Sequence, residues 1–189
     1  MKQRIKNISD VFTGYTFRTA LKDDKNGTMA VIQARDVFSD NLYIDYPSLT
    51  KIDFQTTRSN SLVKKNDVLI SARGNFKASV FTEDNKNIIA SSSSYIIRLK
   101  DKKILAEYLA IYLNSIIGQK EISKNLSGGT IKTILRKNLE EIEIKIFDLK
   151  KQKQIINLYQ ANKKIQNLLS RKKEILDSIS EAGIYKILK

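Results

Sequence analysis

The segment Arg73-Gly74-Asn75-Phe76-Lys77 has the side chains best suited to binding chemistry. An arginine can donate two hydrogen bonds to the edge of guanine, and an asparagine amide can pair with the edge of adenine. The glycine between them lets the backbone approach a ligand closely. The segment therefore predicts DNA contacts by Arg73, Asn75 and Lys77. The alternative is an ordinary β-turn with solvated charges.

Two further segments carry polar groups that suit DNA. The four serines Ser91 to Ser94 precede a predicted strand, and Ser92 and Ser93 are predicted to make phosphate or water-mediated contacts. An ordinary loop explains these serines equally well. Arg18 follows Gly14-Tyr15-Thr16-Phe17 and is either a DNA contact or part of a surface ion pair.

The segment Gly128-Gly129-Thr130-Ile131-Lys132 is suited to hold one phosphate. Exposed backbone N–H groups, the Thr130 hydroxyl and the Lys132 ammonium would together provide the donors. Thr130 and Lys132 are therefore predicted DNA contacts. The glycine pair could instead simply join two helices.

Enzyme chemistry has little support in the residue types. The chain has 0 His and 0 Cys, so Ser-His-Asp and Cys-His mechanisms have no base and thiolate metal sites cannot form. Glu143-Ile144-Lys145 matches part of a magnesium-dependent nuclease core, but the alternation of a half-buried strand explains these charges too. A methyltransferase would need an aromatic-proline motif, and the only proline is Pro47. The sequence predicts no catalytic residue, no metal and no cofactor of its own.

The charge of the chain favours a polyanionic partner. The formal net charge is +14, and residues 1–100 and 101–189 carry excesses of +6 and +8. A positive field over the whole surface attracts nucleic acid first and anionic membranes second. The alternative is the lysine bias of an AT-rich genome.

Several features predict a folded cytoplasmic protein without membrane insertion. A hydrophobic content of 41% in 189 residues can fill one core. The absence of cysteine fits a reducing compartment. The first ten residues lack the apolar run of a signal peptide, and no apolar run is long enough to cross a bilayer.

Short apolar runs and turn residues predict a compact α+β domain with an irregular mixed sheet over residues 1–148. Predicted strands are Met29 to Ala34, Leu42 to Tyr46, Asp67 to Ala72, Ala78 to Thr82, Tyr95 to Leu99 and the alternating segment Ile142 to Ile146. Helices are predicted for Ile104 to Ile117, with Ile116 and Ile117 on the core face and Gly118 as the terminator, and for Leu135 to Ile142.

Residues 149–189 predict one long helix with an apolar seam. The seam residues alternate at spacings of three and four, and the pattern is broken once, by Lys172. They are Leu158, Ala161, Ile165, Leu168, Ile175, Ile179 and Ala182. Such a seam needs a partner helix, so Leu158, Ile165, Leu168, Ile175 and Ile179 are predicted to form a dimer interface.

Three ordered segments resemble the DNA-specificity subunit of type I restriction-modification systems. The first is Ile8-Ser9-Asp10-Val11-Phe12-Thr13-Gly14-Tyr15-Thr16-Phe17-Arg18 with Ala30 to Val37, and the second is Leu62-Val63-Lys64-Lys65-Asn66-Asp67-Val68-Leu69-Ile70-Ser71-Ala72-Arg73-Gly74. The third runs from Tyr108-Leu109 through Leu113-Asn114-Ser115 and Gly128 to Lys132, and continues to Ile142-Glu143-Ile144 and Gln154-Ile155-Ile156.

The resemblance implies half of a specificity subunit. Members of that family usually hold two target-recognition domains, each followed by a long helix, and the two helices pack as an antiparallel coiled coil. This chain has one domain and one helix, so two copies would restore the layout and recognise a palindromic, interrupted site in double-stranded DNA. The family also implies partner modification subunits, which bind S-adenosylmethionine, and restriction subunits. A protein-binding coiled-coil adaptor is the alternative.

Overall fold

The computed structural model describes residues 1–37, 41–56, 59–84 and 87–189, and divides into two compact units, Met1–Gln152 and Lys153–Lys189. The long helix begins at Leu149, the first residue of the second domain predicted from sequence. Its first turn belongs to the first unit.

The described part of the first unit contains short strands. They are β1 (Lys2–Arg4), β2 (Ser9–Thr13), β3 (Met29–Ile32), β4 (Thr50–Ile52), β5 (Val68–Ser71), β6 (Ala78–Val80), β7 (Ile88–Ala90), β8 (Ser94–Leu99), β9 (Leu126–Ser127), β10 (Thr133–Ile134) and β11 (Glu143–Lys145). Strands β2, β8, β5 and β6 form an antiparallel sheet in that order, and β4, β3 and β7 form a mixed sheet in which β3 and β7 are parallel. Strand β1 pairs with β11, and β9 with β10.

Helices of very different lengths join and follow these strands. They are α1 (Ile5–Ile8), α2 (Ala34–Val37), α3 (Ala106–Asn114), α4 (Ile116–Lys124), α5 (Arg136–Glu140) and α6 (Leu149–Leu188), with short 3-10 turns at Tyr46–Ser48 and Ser59–Ser61. The predicted α+β class with an irregular mixed sheet and a long C-terminal helix is confirmed. Strands are short because turn residues interrupt the apolar runs every few positions.

The core lies where the two larger sheets meet. One buried cluster joins β3, β5, β7 and β8 through Ile32, Leu69, Ile88 and Ile96, with Phe81 among them. All five side chains are fully buried. This packing fixes the strand ends from which the candidate loops extend.

A partly buried ion pair links β8 to the turn before β5. The Asp67 carboxylate accepts hydrogen bonds from Arg98 Nε at 2.9 Å and Nη2 at 2.6 Å, and from the backbone N–H of Lys64 at 2.7 Å. The Arg98 guanidinium also lies 5.2 Å from the centroid of the Phe12 ring. The pair thereby holds the end of the β5–β8 ladder opposite to the candidate loops.

Gln152 fixes the first turn of α6 within the first unit. Its side-chain amide donates to the carbonyl oxygens of Lys103 and Phe147, each at 2.8 Å, and its oxygen accepts from Leu105 N–H at 2.9 Å. The side chain is completely buried, and both the nitrogen and the oxygen of its amide form hydrogen bonds with backbone groups. These bonds offset the cost of burying a polar group.

The strand predicted at Leu42 to Tyr46 is wrong. Leu42 and Ile44 make backbone hydrogen bonds only with Val80, which yields an isolated bridge at Tyr43. A 3-10 turn begins at Tyr46, and Pro47 has no N–H to continue a ladder. The missed strands are β1, β2, β4, β7, β9 and β10. Five of them have only two or three residues, too few for a pattern of alternation, whereas β2 has five and its pattern was overlooked.

The single helix predicted over Ile104 to Ile117 is also wrong. The chain breaks at Ser115, whose extended backbone and hydroxyl cap α4 by accepting from Gly118 N–H at 3.1 Å. Gly118 therefore lies in the first turn of α4 instead of ending a helix, and a Cβ there would lie 2.1 Å from the Tyr112 carbonyl oxygen. Ile116 and Ile117, predicted as core, are 78% and 61% exposed.

Candidate nucleic-acid interface

The loop between β5 and β6 presents the predicted Arg73 and Asn75 to solvent. The Ser71 hydroxyl donates to the Arg73 carbonyl oxygen at 2.6 Å, and Ser71 N–H donates to the Lys77 carbonyl oxygen at 3.3 Å. Gly74 has a φ of 71°, which favours glycine. Phe76 is buried and anchors the loop, so Arg73 and Asn75 are exposed while Lys77 is half-buried.

The β9–β10 hairpin lies directly beside this loop. Arg73 forms a β-bridge with Thr133, Gly74 N–H donates to the Lys132 carbonyl oxygen at 3.0 Å, and Ile134 N–H donates to Ala72 at 3.1 Å. Two segments predicted separately, one around Arg73 and one around Lys132, thus form one surface. The glycine pair is the tip of a hairpin and does not join two helices, so that alternative reading is wrong.

The tip of this hairpin is shaped by Gly128. Its φ of 98° and the position of the Ile131 carbonyl oxygen, 2.7 Å from where a Cβ would lie, leave room only for glycine. Lys132 Nζ donates to the Gly128 carbonyl oxygen at 3.1 Å, and Thr130 is exposed at the tip. The ammonium and the hydroxyl therefore lie on the same exposed turn.

The serine segment lies on the other side of the Arg73 loop. Ala72 N–H donates to the Ser93 carbonyl oxygen at 2.8 Å. The Ser93 hydroxyl already accepts from Ala34 N–H at 3.1 Å and pairs with the Ser91 hydroxyl at 2.7 Å, whereas Ser92 is exposed. Of the two predicted serines, Ser92 is therefore the more accessible to a ligand. The Ser93 hydroxyl instead binds the backbone at the start of α2.

The segment before Arg18 packs on the serines in turn. Ser92 N–H donates to the Tyr15 carbonyl oxygen at 2.8 Å, and Gly14 N–H to the Ser94 carbonyl oxygen at 3.2 Å. A Cβ on Gly14 would lie 2.0 Å from the Ser91 carbonyl oxygen, so this close approach requires glycine. Arg18 is exposed and lines an open groove of about 800 Å³ beside the packed rings of Tyr15, Phe17 and Phe54.

The four segments form one continuous surface. Backbone hydrogen bonds connect residues 14–15 to 91–94, these to Ala72, and the Ala72–Gly74 backbone to residues 132–134. They meet where β5 ends at Ser71 and β8 begins at Ser94, since those two residues are paired. We call this the loop surface. Ser92, Arg73, Asn75, Thr130 and Lys132 are exposed residues of the connected segments, whereas the hydrogen bonds of the first segment end at Tyr15, three residues before Arg18.

Arg35 is a charged residue at this surface that sequence reasoning missed. It follows Ala34, whose N–H binds Ser93, and its side chain is 67% exposed. Its Nη2 donates to the Thr50 hydroxyl at 2.6 Å, which orients the guanidinium. Burial raises the pKa of the neighbouring Asp36, while the Gln33 N–H and the Arg35 charge oppose that rise. The sequence signal that could have identified Arg35 is its position within the family-like segment Ala30 to Val37.

Tyr95 links the loop surface to a further arginine. Its hydroxyl donates to the Ile134 carbonyl oxygen at 3.0 Å. Burial raises the pKa of Tyr95, and the nearby charges of Arg136 and Arg73 oppose that rise. The charges of Arg136 and Arg73 therefore both act on this phenol, and Arg136 Nε is also paired with Glu140 at 2.8 Å.

The carboxylate of the nuclease alternative lies in an exposed ion pair. Glu143 lies on β11 and pairs with Lys2 at 3.2 Å. Within ranges 1–37, 41–56, 59–84 and 87–189, no three acidic side chains come close enough together to hold a metal ion. Among the same residues, no helix combines the length and apolar character needed to cross a membrane.

The second unit is a single exposed helix. The predicted interface residues Leu158, Ile165, Leu168, Ile175 and Ile179 are between 51% and 72% exposed. The flanking Leu169 and Leu176 are exposed to a similar degree. Large contiguous apolar patches are the kind of exposed surface at which proteins associate.

Residues 1–177 match the family model described as "Type I restriction modification DNA specificity domain". Three solved structures share the fold. The S subunit of a type I system from M. genitalium is 20% identical, with a TM-score of 0.60 over 90% of this chain and 41% of that chain. The HsdS subunit from Thermoanaerobacter tengcongensis is 18% identical, with a TM-score of 0.62 over 90% and 39%.

The third similar structure concerns complex assembly and conformational transition of the type I R-M system. It is 18% identical, with a TM-score of 0.64 over 89% of this chain and 39% of that one. The chain thus spans about two fifths of the length of these solved relatives. No curated protein matches it.

Proposed function

This chain belongs to the family of type I restriction modification DNA specificity domains, and from that membership we propose that it recognises a specific sequence in double-stranded DNA through the loop surface. Exposed arginines and amides on loops are the groups that read base edges. Hydroxyls, lysines and backbone N–H groups beside them suit phosphates. The chain itself is proposed to be non-catalytic.

The continuity of the loop surface is the observation that carries this proposal. Backbone hydrogen bonds join four segments that are far apart in sequence. Three of them carry the exposed Ser92, Arg73, Asn75 and the Thr130–Lys132 turn, and the fourth leads to the exposed Arg18. Arg35 adds a guanidinium held in place by Thr50. Groups held in position before binding lose less conformational entropy when they contact a ligand.

Two copies are proposed to associate through the exposed stripe of α6. Each domain would then read one half of a palindromic, interrupted site, and the paired helices would set the gap between the halves. The stripe supports this proposal because water is a poor environment for so many large apolar side chains.

The partners and the location are proposed on the basis of the family. Modification subunits would bind S-adenosylmethionine and receive the DNA, and restriction subunits would join the complex. The chain would hold no cofactor and would act in the cytoplasm. The net charge of +14 supports DNA as the ligand.

Selection of bound duplexes from a random pool tests the proposal. The full chain is incubated with the pool, with and without candidate modification subunits, and bound DNA is sequenced. The proposal expects enrichment of one interrupted palindrome and a steep loss of affinity with rising salt. Absence of binding at low salt under both conditions would favour a protein-binding adaptor.

Substitution of Arg35 refines the test. Arg35→Ala is expected to weaken binding to the selected duplex by about tenfold or more, because one oriented guanidinium contact is lost. The matched control is Lys65→Ala, which removes the same charge from an exposed position just before β5, at the far end of the β5–β8 ladder. Equal losses in both variants would show that only total charge matters.

A further inference from the structure

Ile131 is a large apolar side chain at the tip of the β9–β10 hairpin. Its exposed fraction is 66%, and every residue from Ser127 to Lys132 is exposed, so the turn projects from the domain. Single exposed isoleucines are common on protein surfaces and need no explanation. This one differs in its position, because it lies between Thr130 and Lys132, the two residues proposed to contact a phosphate.

Hydrogen bonds within the hairpin hold the backbone of this tip. Ser127 on β9 lies opposite Thr133 on β10, and the Thr133 hydroxyl donates to the Ser127 carbonyl oxygen at 3.3 Å. Across the turn, Lys132 Nζ donates to the Gly128 carbonyl oxygen at 3.1 Å. The Ile131 carbonyl oxygen lies close against Gly128, where a Cβ would come within 2.7 Å of it. The backbone that carries the Ile131 side chain is therefore closely packed on itself.

The base of the hairpin is held by the rest of the loop surface. Gly74 N–H donates to the Lys132 carbonyl oxygen at 3.0 Å, and Ile134 N–H donates to the Ala72 carbonyl oxygen at 3.1 Å. The Tyr95 hydroxyl donates to the Ile134 carbonyl oxygen at 3.0 Å. The Ile134 side chain is 1% exposed, so β10 is anchored in the core. The folded domain thus supports the exposed tip.

An apolar side chain on a firm support can distort a DNA duplex. Isoleucine is branched at Cβ and has few rotamers, so little side-chain entropy is lost when it is enclosed. Proteins that bend DNA insert such side chains, isoleucine among them, between adjacent base pairs. The cost of unstacking the bases is offset by burial of the apolar side chain and by the contacts that the bend allows.

We propose that Ile131 is a wedge that enters the recognised duplex between two adjacent base pairs and bends it. This inference rests on the proposed function, in which the loop surface binds a specific duplex. Thr130 and Lys132 hold a phosphate next to the opened step. The wedge adds to specificity, because pyrimidine–purine steps such as TA and CA are unstacked more easily than other steps. The ligand is therefore a duplex with a deformable step at the hairpin tip.

Fluorescence of the selected duplex tests the wedge in two ways. A donor and an acceptor dye at the two ends report bending, and 2-aminopurine in place of single adenines reports unstacking at each position. The full chain is used, with modification subunits if the selection required them, so any distortion by those subunits is common to all variants. The variants are Ile131→Ala, which removes most of the wedge, and Ile131→Leu, which keeps its apolar bulk.

Ile117→Ala is the matched control. Ile117 is 61% exposed in the first turn of α4, so this change deletes the same atoms from a similarly exposed isoleucine outside the hairpin. The hydrogen bonds that hold the hairpin use side chains other than that of Ile131. All three variants are therefore expected to keep the parent fold.

We expect the parent protein and Ile117→Ala to bend the duplex by about 20° or more and to raise 2-aminopurine fluorescence at one step. Ile131→Leu retains both signals. Ile131→Ala loses them, while its affinity falls by about tenfold at most, because the cost of unstacking is no longer incurred. Replacing the deformable step by a stiff AA step weakens binding by the parent protein more than binding by Ile131→Ala.

A bound duplex that stays straight and stacked with the parent protein overturns the wedge, and so does equal distortion with Ile131→Ala. Loss of the distortion in Ile117→Ala overturns it as well. A loss of affinity in Ile131→Ala with unchanged distortion assigns Ile131 to a groove contact, such as one with a thymine methyl group. A parent protein that binds no duplex contradicts the proposed function itself. The binding measurement therefore tells the two failures apart.

Discussion

The backbone N–H of Gly74 donates a hydrogen bond to the carbonyl oxygen of Lys132 at 3.0 Å, across 58 positions of sequence. With the bridge between Arg73 and Thr133, it holds the loop proposed to read bases against the turn proposed to bind a phosphate. The two proposed contacts are therefore held next to each other by the fold.

The shape of the hairpin tip should matter for binding. Gly128→Ala is expected to cost at least about 1–2 kcal/mol locally, because a side chain is strained at a φ of 98°. The turn that carries Thr130 and Lys132 would then change shape and DNA affinity would fall. Gly129→Ala is the matched control, since a Cβ there meets nothing within 4 Å. Binding titrations with both variants check this, and equal affinities would contradict it.

Arg73 is expected to contribute to sequence discrimination. Arg73→Ala should weaken binding to the selected duplex by about 1–3 kcal/mol and relax preference at one base position. Lys132→Ala should instead weaken binding to all duplexes alike and lower the salt slope by about 1. Titrations against a set of single-base variants at several salt concentrations separate these outcomes. A uniform loss for Arg73→Ala would assign it to the phosphate backbone.

The ion pair between the buried Asp67 and the partly buried Arg98 should be important for stability. Arg98→Met leaves the 2%-exposed Asp67 carboxylate without its bidentate partner and is expected to cost about 3–5 kcal/mol. The double variant Asp67→Asn/Arg98→Met should recover part of this loss, because no buried charge is left unpaired. Denaturant unfolding measures both free energies. A double variant less stable than Arg98→Met would contradict the explanation.

Tyr108 should give the fold a specific alkaline pH dependence. Burial, helped by Tyr112, raises the pKa of Tyr108 to about 12 from an ordinary value of 10.0. The unfolded chain therefore ionises first, so the stability that this phenol contributes is complete below pH 10 and is lost between pH 10 and 12. The hydroxyl also donates to the Lys145 carbonyl oxygen.

Comparison with Tyr108→Phe checks this dependence. At neutral pH the variant is expected to be less stable by about 1–3 kcal/mol, because the Lys145 carbonyl loses its side-chain partner. The difference should shrink as the pH rises from 10 to 12. Unfolding free energies measured across this range test the sign, and a difference that grows with pH would contradict it.

Elements with a pattern that extends over many residues could be predicted from the sequence, whereas short elements and their boundaries could not. Helix α6 was predicted because its apolar spacing persists over many turns without proline. The break at Ser115 was missed because Gly118 is the stronger stop signal in sequence, whereas in the fold Gly118 permits close contact with Tyr112. Tertiary contacts decided that position.

The candidate site could be predicted only in part, because its side chains are visible in the sequence but their spatial arrangement is not. Side-chain chemistry identified Arg73, Asn75 and the Thr130–Lys132 turn as suitable DNA contacts, and these remain predictions. Their union into one surface depends on long-range backbone pairing, such as Gly74 with Lys132, which leaves no local signal in the sequence. Arg35 was missed because its orientation depends on Thr50, fifteen positions away.

The central claim is that this chain recognises a specific DNA sequence. The most direct measurement is the ratio of the dissociation constants for a scrambled duplex and for the selected duplex of equal length. Both constants are measured at one physiological salt concentration, with the same protein or complex that was used in the selection experiment. The account predicts a ratio of about 1,000 or more in favour of the selected duplex. Equal dissociation constants for the two duplexes would contradict it.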